Sequence, residues 1–268
     1  YYGATQFQAT DARRAFPCLD EPGLKATFDV SIARKEDMTT LTNMDKNRTQ
    51  PISGMPGWVW DHYNPSVPMS TYLVAFVVSN LAYMESDSAL SKTKFQIWTR
   101  PEALDQAAYA ADIGPKMLEF FVDYYQVDFP LPKQDMVAIP DFGAGAMENW
   151  GLIIYRETAL LFHPKLASAS SKKRVAIVIA HELAHQWFGN LVTPAWWSDL
   201  WLNEGFASYM EYLAVNYTHP NWQVFDSFVL DDLQRSMKQD SLKTSHSISI
   251  PVNHPDEISE IFDGITYS

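Results

Sequence analysis

His181-Glu182-Leu183-Ala184-His185 places two imidazoles four residues apart with a carboxylate between them. On a helix, residues four apart share a face, so both rings can reach one metal ion. Glu182 is turned by about 100° from His181, which sets it beside the metal's open position as a base and not among its ligands. The preceding run Val175-Ala-Ile-Val-Ile-Ala180 is apolar, so this helix is largely buried. Two histidines and a carboxylate inside such a helix need compensation, and a dication supplies it. Farther on, Asn203-Glu204-Gly205 opens a second amphipathic helix. Alone, Glu204 reads as a surface carboxylate; with His181 and His185 it completes a His₂Glu zinc set, one Zn²⁺ per chain.

The elements that must position these residues are legible from patterning. Ser168 to Ser171 offer N-caps for the first helix, which runs to a stop near Gly189, and Leu200 to Val215 form the second. Ile113, Met117, Phe120, Phe121 and Tyr124 recur at helical spacing, predicting a helix over 103–125 ended by Pro130 and Pro132. Phe95–Trp98, Val137–Ile139 and Leu152–Tyr155 read as strands, with a glycine-rich loop, Asp141-Phe-Gly-Ala-Gly-Ala-Met147, between the last two. Upstream, Thr27–Ile32 alternates and Met69–Val78 is rich in Val, Tyr and Phe, so both are predicted strands. Asn43–Pro68, dense in Pro, Gly, Asn and Asp, reads as turns and exposed loops. An all-β part followed by an α+β part predicts two domains, residues 1–82 and 83–268.

Composition bounds the function. With 47% hydrophobic and 19% charged residues the chain is globular, and a formal charge of −12 argues against nucleic acid as a partner, which requires a basic face. The longest apolar runs fall far short of the ~20 residues that span a bilayer. Cys18 is the single cysteine and reads as an unreactive thiol, while Asn47-Arg-Thr49 and Asn216-Tyr-Thr218 permit glycosylation without establishing it.

Gly145-Ala-Met-Glu-Asn149, His181-Glu-Leu-Ala-His185 and Trp201-Leu-Asn-Glu-Gly-Phe-Ala207 together resemble the M1 family of zinc aminopeptidases, as do Ala12-Arg-Arg-Ala-Phe-Pro-Cys-Leu-Asp-Glu-Pro22 and Ile261-Phe-Asp-Gly-Ile-Thr-Tyr267. The resemblance covers essentially the whole chain in family order. It implies the C-terminal part of a β-sandwich or saddle-like N-terminal domain over 1–82, then a thermolysin-like zinc catalytic domain over 83–268. Because the family pattern extends beyond both ends, an internal fragment is expected.

The resemblance also assigns roles. It makes Glu182 and Tyr267 catalytic, the tyrosine as a stabiliser of the transition state. It places Gly145 and Ala146, followed by Met147, on an edge strand that pairs with substrate. It gives Glu148, next to Asn149, the task of holding the free α-ammonium, and it puts Gln6 in the first side-chain pocket and Gln8 beside the ammonium site. Several relatives carry Glu at the position of Gln8, and Met-Glu where this chain has Pro194-Ala195. The implied partners are peptides with a free N-terminus. Attachment to a membrane through segments outside 1–268, placement at the cell surface with a cytoplasmic alternative, and a homodimer follow as further expectations. A leukotriene-type epoxide hydrolase on the same scaffold, a zinc endopeptidase, and a receptor role added to the peptidase are the competing readings.

Overall fold

A computed structural model describes residues 2–267, so Tyr1 and Ser268, the outermost residues of the two expected domains, lie outside the described residues. The N-terminal part contains β1 (Gly3–Ala4), a single helical turn α1 (Ala12–Ala15), β2 (Ser31–Lys35), β3 (Thr39–Thr42), β4 (Lys46–Pro51), β5 (Trp58–Tyr63) and β6 (Phe76–Ser79). They form two antiparallel sheets, ordered β1-β6-β3 and β2-β5-β4. Along β5, Val59, Asp61 and Tyr63 are buried while the residues between them are half-buried, the period of two that a one-sided sheet imposes. Asp61 is the tie between strands: its carboxylate meets Arg34 Nε at 2.6 Å, Lys46 Nζ at 2.8 Å and the hydroxyls of Thr40 and Thr49 at 2.6 and 2.5 Å.

Three expectations for this part are corrected. Of the expected strand Thr27–Ile32, only Ser31 and Ile32 lie in one, β2; before them Ala26 makes one isolated bridge to Met69. The segment after Met69 is a 3-10 turn, Thr71–Leu73, before β6, because Ser70 and Thr71 hydroxyls anchor it to the Pro22 carbonyl and the Asp20 carboxylate at 2.6 and 2.5 Å. The stretch 43–68 holds the β4–β5 hairpin. Its turn formers sit in the connection, with Gly54 and Gly57 at φ 78° and 79°, and the flanking residues pair.

The second part adds β7 (Ala82–Glu85), β8 (Lys94–Thr99), α2 (Ala108–Tyr125), β9 (Lys133–Ile139), β10 (Ala146–Met147), β11 (Leu152–Arg156), α3 (Glu157–Leu160), α4 (Ala169–Ala184), α5 (Trp201–Thr218), α6 (Val224–Ser227) and α7 (Gln234–Asp240). Five strands join in the order β10-β11-β9-β8-β7, with β9 parallel to both its neighbours and the edge strands antiparallel. Central β9 is buried along its whole length, as a strand covered on both faces must be. It starts four residues before Val137, because Lys133 is masked as a loop residue by its charge: its ammonium is buried on the Thr42 and Gly151 carbonyls and the Asp135 carboxylate. Helix α2 ends at Tyr125, where Gln126 takes a left-handed φ of 54°, ahead of the prolines expected to stop it.

Alternation along the sheet divides the molecule into two cores. Met136, Ala138, Ile153 and Tyr155 pack with Phe121, Val175, Ile179 and Leu183 of α2 and α4 on one face. Val137, Ile139, Leu152 and Ile154 pack with Tyr72, Leu73, Val77 and Trp197 on the other. Burial of each such aliphatic side chain contributes roughly 1.5–3 kcal/mol, so α4 is held flat against the sheet. The result is an α+β fold of mixed sheets and helices. Among the described residues no helix is long and apolar enough to cross a membrane.

Candidate metal centre and substrate cleft

Helix α4 begins at Ser168, whose hydroxyl accepts the Ser171 N–H at 3.1 Å, and its last turn carries His181, with His185 as C-cap. Helix α5 packs against α4 and brings Glu204 in its first turn to the same point. His181 Nε2 lies 3.0 Å from His185 Nε2 and 3.2 Å from Glu204 Oε2, and His185 Nε2 lies 3.3 Å from the same oxygen. Ligands at ~2.1 Å in a tetrahedral zinc site are separated by about 3.4 Å, so the three atoms match one face of such a site.

The tautomers strengthen the fit. His181 Nδ1 faces Glu211 Oε2 at 2.7 Å, and His185 Nδ1 faces the Phe188 carbonyl at 2.9 Å and Asn203 Oδ1 at 2.7 Å. All three partners are acceptors, so both Nδ1 atoms donate and both Nε2 lone pairs are free to point at Glu204. Three acceptors converging on one point call for a cation. Without a metal that cation is a proton. Burial pushes the imidazoliums down, but Glu204 and Glu211 outweigh it for His181, and Glu204 with Glu148 lifts His185 to about 9. Burial raises Glu204, yet His185 and His181 pull it down to about 2.

Glu182 is buried beside the cluster, and its Oε2 has no hydrogen-bond partner. Burial pushes it up to about 8 against the pull of His181 and His185. That oxygen belongs to a residue lining a cavity of about 440 Å³, with Gln6, Gln8, Gly145, Ala146, His181, Ser208, Phe262 and Tyr267 around it. Tyr267 stacks on the His181 ring, centroids 6.0 Å apart, and burial followed by Glu204 and Glu148 raises its hydroxyl far above the ordinary range.

Strand β10 forms the opposite wall. Ala146 and Met147 pair with Tyr155 and Ile154 on one side only, which leaves a sheet edge at the cavity. Arg156 holds the glycine-rich loop in place by donating to the Phe142 and Gly143 carbonyls at 3.1 and 2.7 Å. Glu148 is buried, and its Oε1 accepts from Gln8 Nε2 at 3.4 Å and Asn203 Nδ2 at 3.3 Å. Burial raises its carboxyl against the pull of His185. Gln6 Nε2 rests on Met147 Sδ at 3.3 Å. Asn149 is buried with both side-chain polar atoms unpartnered. The fold thus gathers Gln6, Gln8, Gly145, Ala146, His181, Glu182 and Tyr267 around one cavity, with Met147 on Gln6, Glu148 on Gln8, and His185 and Glu204 on His181; Asn149 makes no side-chain hydrogen bond to any of them.

It also recruits residues the sequence reading passed over. Glu211 lies two turns after Glu204 on the same face of α5, a periodicity that could have marked it. Asn203 bridges His185 and Glu148, and it fits because Gly189, at φ 119°, has no Cβ; one placed there would lie 2.1 Å from Asn203 Oδ1. Gln186 donates to the Glu182 and Glu148 carbonyls and accepts the Gly151 N–H, and Asn190 donates to the Glu148 carbonyl at 2.8 Å. These amides carry no charge pattern that a sequence reading could seize on.

Residues 109–268 match the model of the peptidase family M1 domain, and residues 1–73 match that of the peptidase M1 N-terminal domain. The chain belongs to peptidase family M1. This M1 chain is 49% identical to "Aminopeptidase N" of Rattus norvegicus over 98% of its own length, and 50% identical to "Aminopeptidase N" of Bos taurus over the same share. It is 48% identical to "Glutamyl aminopeptidase" of Bitis rhinoceros over 100% of its length. In each case it spans 28% of the relative. The Pro194-Ala195 variation of this M1 chain falls in the loop between α4 and α5, where Gly23 faces the Ala195 carbonyl and Lys25 caps the Asn190 and Leu191 carbonyls, both at 3.0 Å. None of these contacts involves His181, His185 or Glu204.

Proposed function

We propose that these residues form the catalytic heart of a zinc-dependent aminopeptidase that removes the first residue from peptides with a free N-terminus. His181, His185 and Glu204 would hold the metal, in a domain read as thermolysin-like. Bound there, zinc would supply a Lewis acid able to polarise the scissile carbonyl and to make water a better nucleophile. Glu182, with an unpartnered oxygen in the cleft, takes the water's proton and delivers it to the leaving amine. Tyr267 donates its hydroxyl to the developing oxyanion without a charge that must be buried beforehand. The free edge of Gly145 and Ala146 accepts the substrate backbone as an added strand.

The observation that carries the exopeptidase reading is Asn203, one side chain that touches both His185 and Glu148. A buried carboxylate joined to a metal ligand through one shared amide is a seat for a cation. In a peptide the α-nitrogen and the first carbonyl carbon are about 2.5 Å apart. An ammonium held on Glu148, with Gln8 beside it, therefore presents the first peptide bond to the metal site. An endopeptidase needs no such seat. Placement at the cell surface, a membrane anchor in segments outside 1–268 and a homodimer belong to the same reading; exposed Asn47, at the bulge of β4, is the better placed of the two glycosylation sequons.

The test is a panel of aminoacyl-naphthylamides assayed on the full-length enzyme, with and without chelator and after zinc is restored. Loss with the chelator, recovery with zinc and failure to cut N-acetylated peptides support the reading. Turnover of a fatty epoxide with no peptidase activity would replace it by the hydrolase alternative.

A further inference from the structure

Tyr267 sits at the end of a tight turn, and one carboxylate grips that turn. Asp263 Oδ1 accepts the N–H groups of Ile265 at 3.0 Å and Thr266 at 3.1 Å, and the Asp263 carbonyl accepts the Tyr267 N–H at 3.2 Å. Its other oxygen, Oδ2, accepts from His246 Nε2 at 2.7 Å and from Gln239 Nε2 of α7 at 3.3 Å. His246 Nδ1 in turn faces the Ser247 carbonyl at 2.8 Å. Both ring nitrogens of His246 face acceptors, so both carry protons and the pair with Asp263 is ionic.

The turn is pressed onto the zinc-bearing helix from the other side. Thr266 is buried, its hydroxyl donates to the Ile261 carbonyl at 2.6 Å, and a Cβ on Gly205, the residue after Glu204, would come within 3.3 Å of the Thr266 carbonyl. Gly264 likewise lies so close to Gln239 that a Cβ there would approach Oε1 to 2.5 Å. The Tyr267 ring stacks on His181, centroids 6.0 Å apart, and meets Phe262 at a tilt of 44° with centroids 6.5 Å apart. The Tyr267 hydroxyl hydrogen-bonds the Glu204 carboxylate, and the backbone turn behind the ring governs how far that hydroxyl reaches.

We propose that Asp263 is a positioning residue for hydrolysis: by gripping the 263–267 turn while His246 and Gln239 grip its carboxylate, it fixes the Tyr267 hydroxyl over the metal site. The proposal rests on the aminopeptidase reading, in which Tyr267 serves the oxyanion. A group with that task must stay within about 0.5 Å of its productive place, and a turn held by one carboxylate to α7 and to His246 in the segment after it meets that demand. Asp263 does not touch substrate; it acts through Tyr267.

A double-mutant cycle on the full-length enzyme tests this. Asp263→Ala should lower kcat about 30-fold with KM changed by no more than about twofold, because the free enzyme still binds the ammonium and the metal. In a Tyr267→Phe background the same change should cost less than about twofold, since residues that act through one group are not additive. His246→Ala, at a partly exposed position, should cost about threefold, again only when Tyr267 is present. Equal losses in the two backgrounds would overturn the proposal. If Asp263→Ala loses its zinc or its fold, the His246→Ala cycle decides alone. Near-native activity of Tyr267→Phe by itself would instead remove the mechanism on which the proposal rests, so the two failures are distinguishable.

Discussion

Replacing Glu148 by Gln separates the recognition of charge from the support of the cleft. The carboxylate is buried, and its Oε1 accepts from Gln8 and Asn203. A glutamine carbonyl can accept the same two bonds, and the main chain remains tied to Gln186 and Asn190, so the wall of the cleft stays in place. What disappears is the attraction between the carboxylate and the substrate ammonium. Two unit charges about 4 Å apart at an effective dielectric near 20 attract by about 4 kcal/mol, and desolvation of the ammonium reduces the net gain to about 3 kcal/mol. At 1.4 kcal/mol per factor of ten, kcat/KM on an aminoacyl-naphthylamide should fall at least about 100-fold. Glu148→Ala should do the same or worse, because it also strands the Asn203 and Gln8 amides. On an N-acetylated peptide, which brings no charge, the already poor rate should change far less. The assay is steady-state kinetics on both substrates, with bound zinc measured for each variant. Equal losses on the two substrates at full zinc content would refute the reasoning and make Glu148 a support for the β10 loop.

Glu182→Gln should abolish turnover yet retain about one zinc per chain, whereas Glu204→Gln should lose zinc; metal analysis that returned the reverse would exchange their roles. Gly189→Ala puts a Cβ against Asn203 Oδ1 at a φ of 119° and should displace the amide from His185, weakening zinc about 10–100-fold in competition with a chelator. Asp61→Asn should destabilise the chain by about 3 kcal/mol, because Arg34 and Lys46 lose their shared partner. Burial would raise the Asp61 carboxyl, but Arg34, Lys46, Thr40 and Thr49 together hold it well below its usual 3.8. A depressed carboxyl stabilises the fold above its unfolded pKa and loses that effect as pH falls toward its folded one, so the gap in Tm between variant and parent should be constant near neutrality and narrow below about pH 3.8. A gap independent of pH would show that shape, not charge, holds the strands.

The parts of the site that a sequence displays are those whose relation is local. Four residues along α4 bring His181 and His185 to one point wherever the helix lies, and Glu182 follows from the same geometry. Glu204 could be joined to them because it opens the next helix. Gln8 and Glu148 are 140 residues apart, and nothing in their types announces a meeting; only the resemblance to a family paired them. Glu211 was reachable by counting two turns from Glu204, but a second carboxylate on a helix face is ordinarily solvated. In the fold, errors arose where polar residues are buried. Lys133 and Asp135 lie inside β9 and pair with each other, Lys133 also donating to Thr42 of β3 and Asp135 accepting from Trp98 of β8, while Asp61 inside β5 meets Lys46 of β4; a linear pattern shows none of this. The β4–β5 hairpin was hidden by the density of turn formers in its connection, which a composition window spreads over the strands beside it.

The distribution of the cleft along the chain bears on when activity can arise. Its walls come from residues in 6–8, 144–146, 177–182 and 208–211, Asp232 and residues in 262–267, and β1 closes a loop of more than seventy residues when Gly3 meets Val78. Contacts of such high sequence separation form late, because the entropy of closing each loop must be met before the contact rewards it. The two helices can pack early, since they are neighbours in sequence. The seat at Glu148 is finished only when the first strand has docked. On refolding, the Glu148 seat, which draws on Gln8 near one end of the chain and Asn203 near the other, is expected to be completed after the α4–α5 pair has formed.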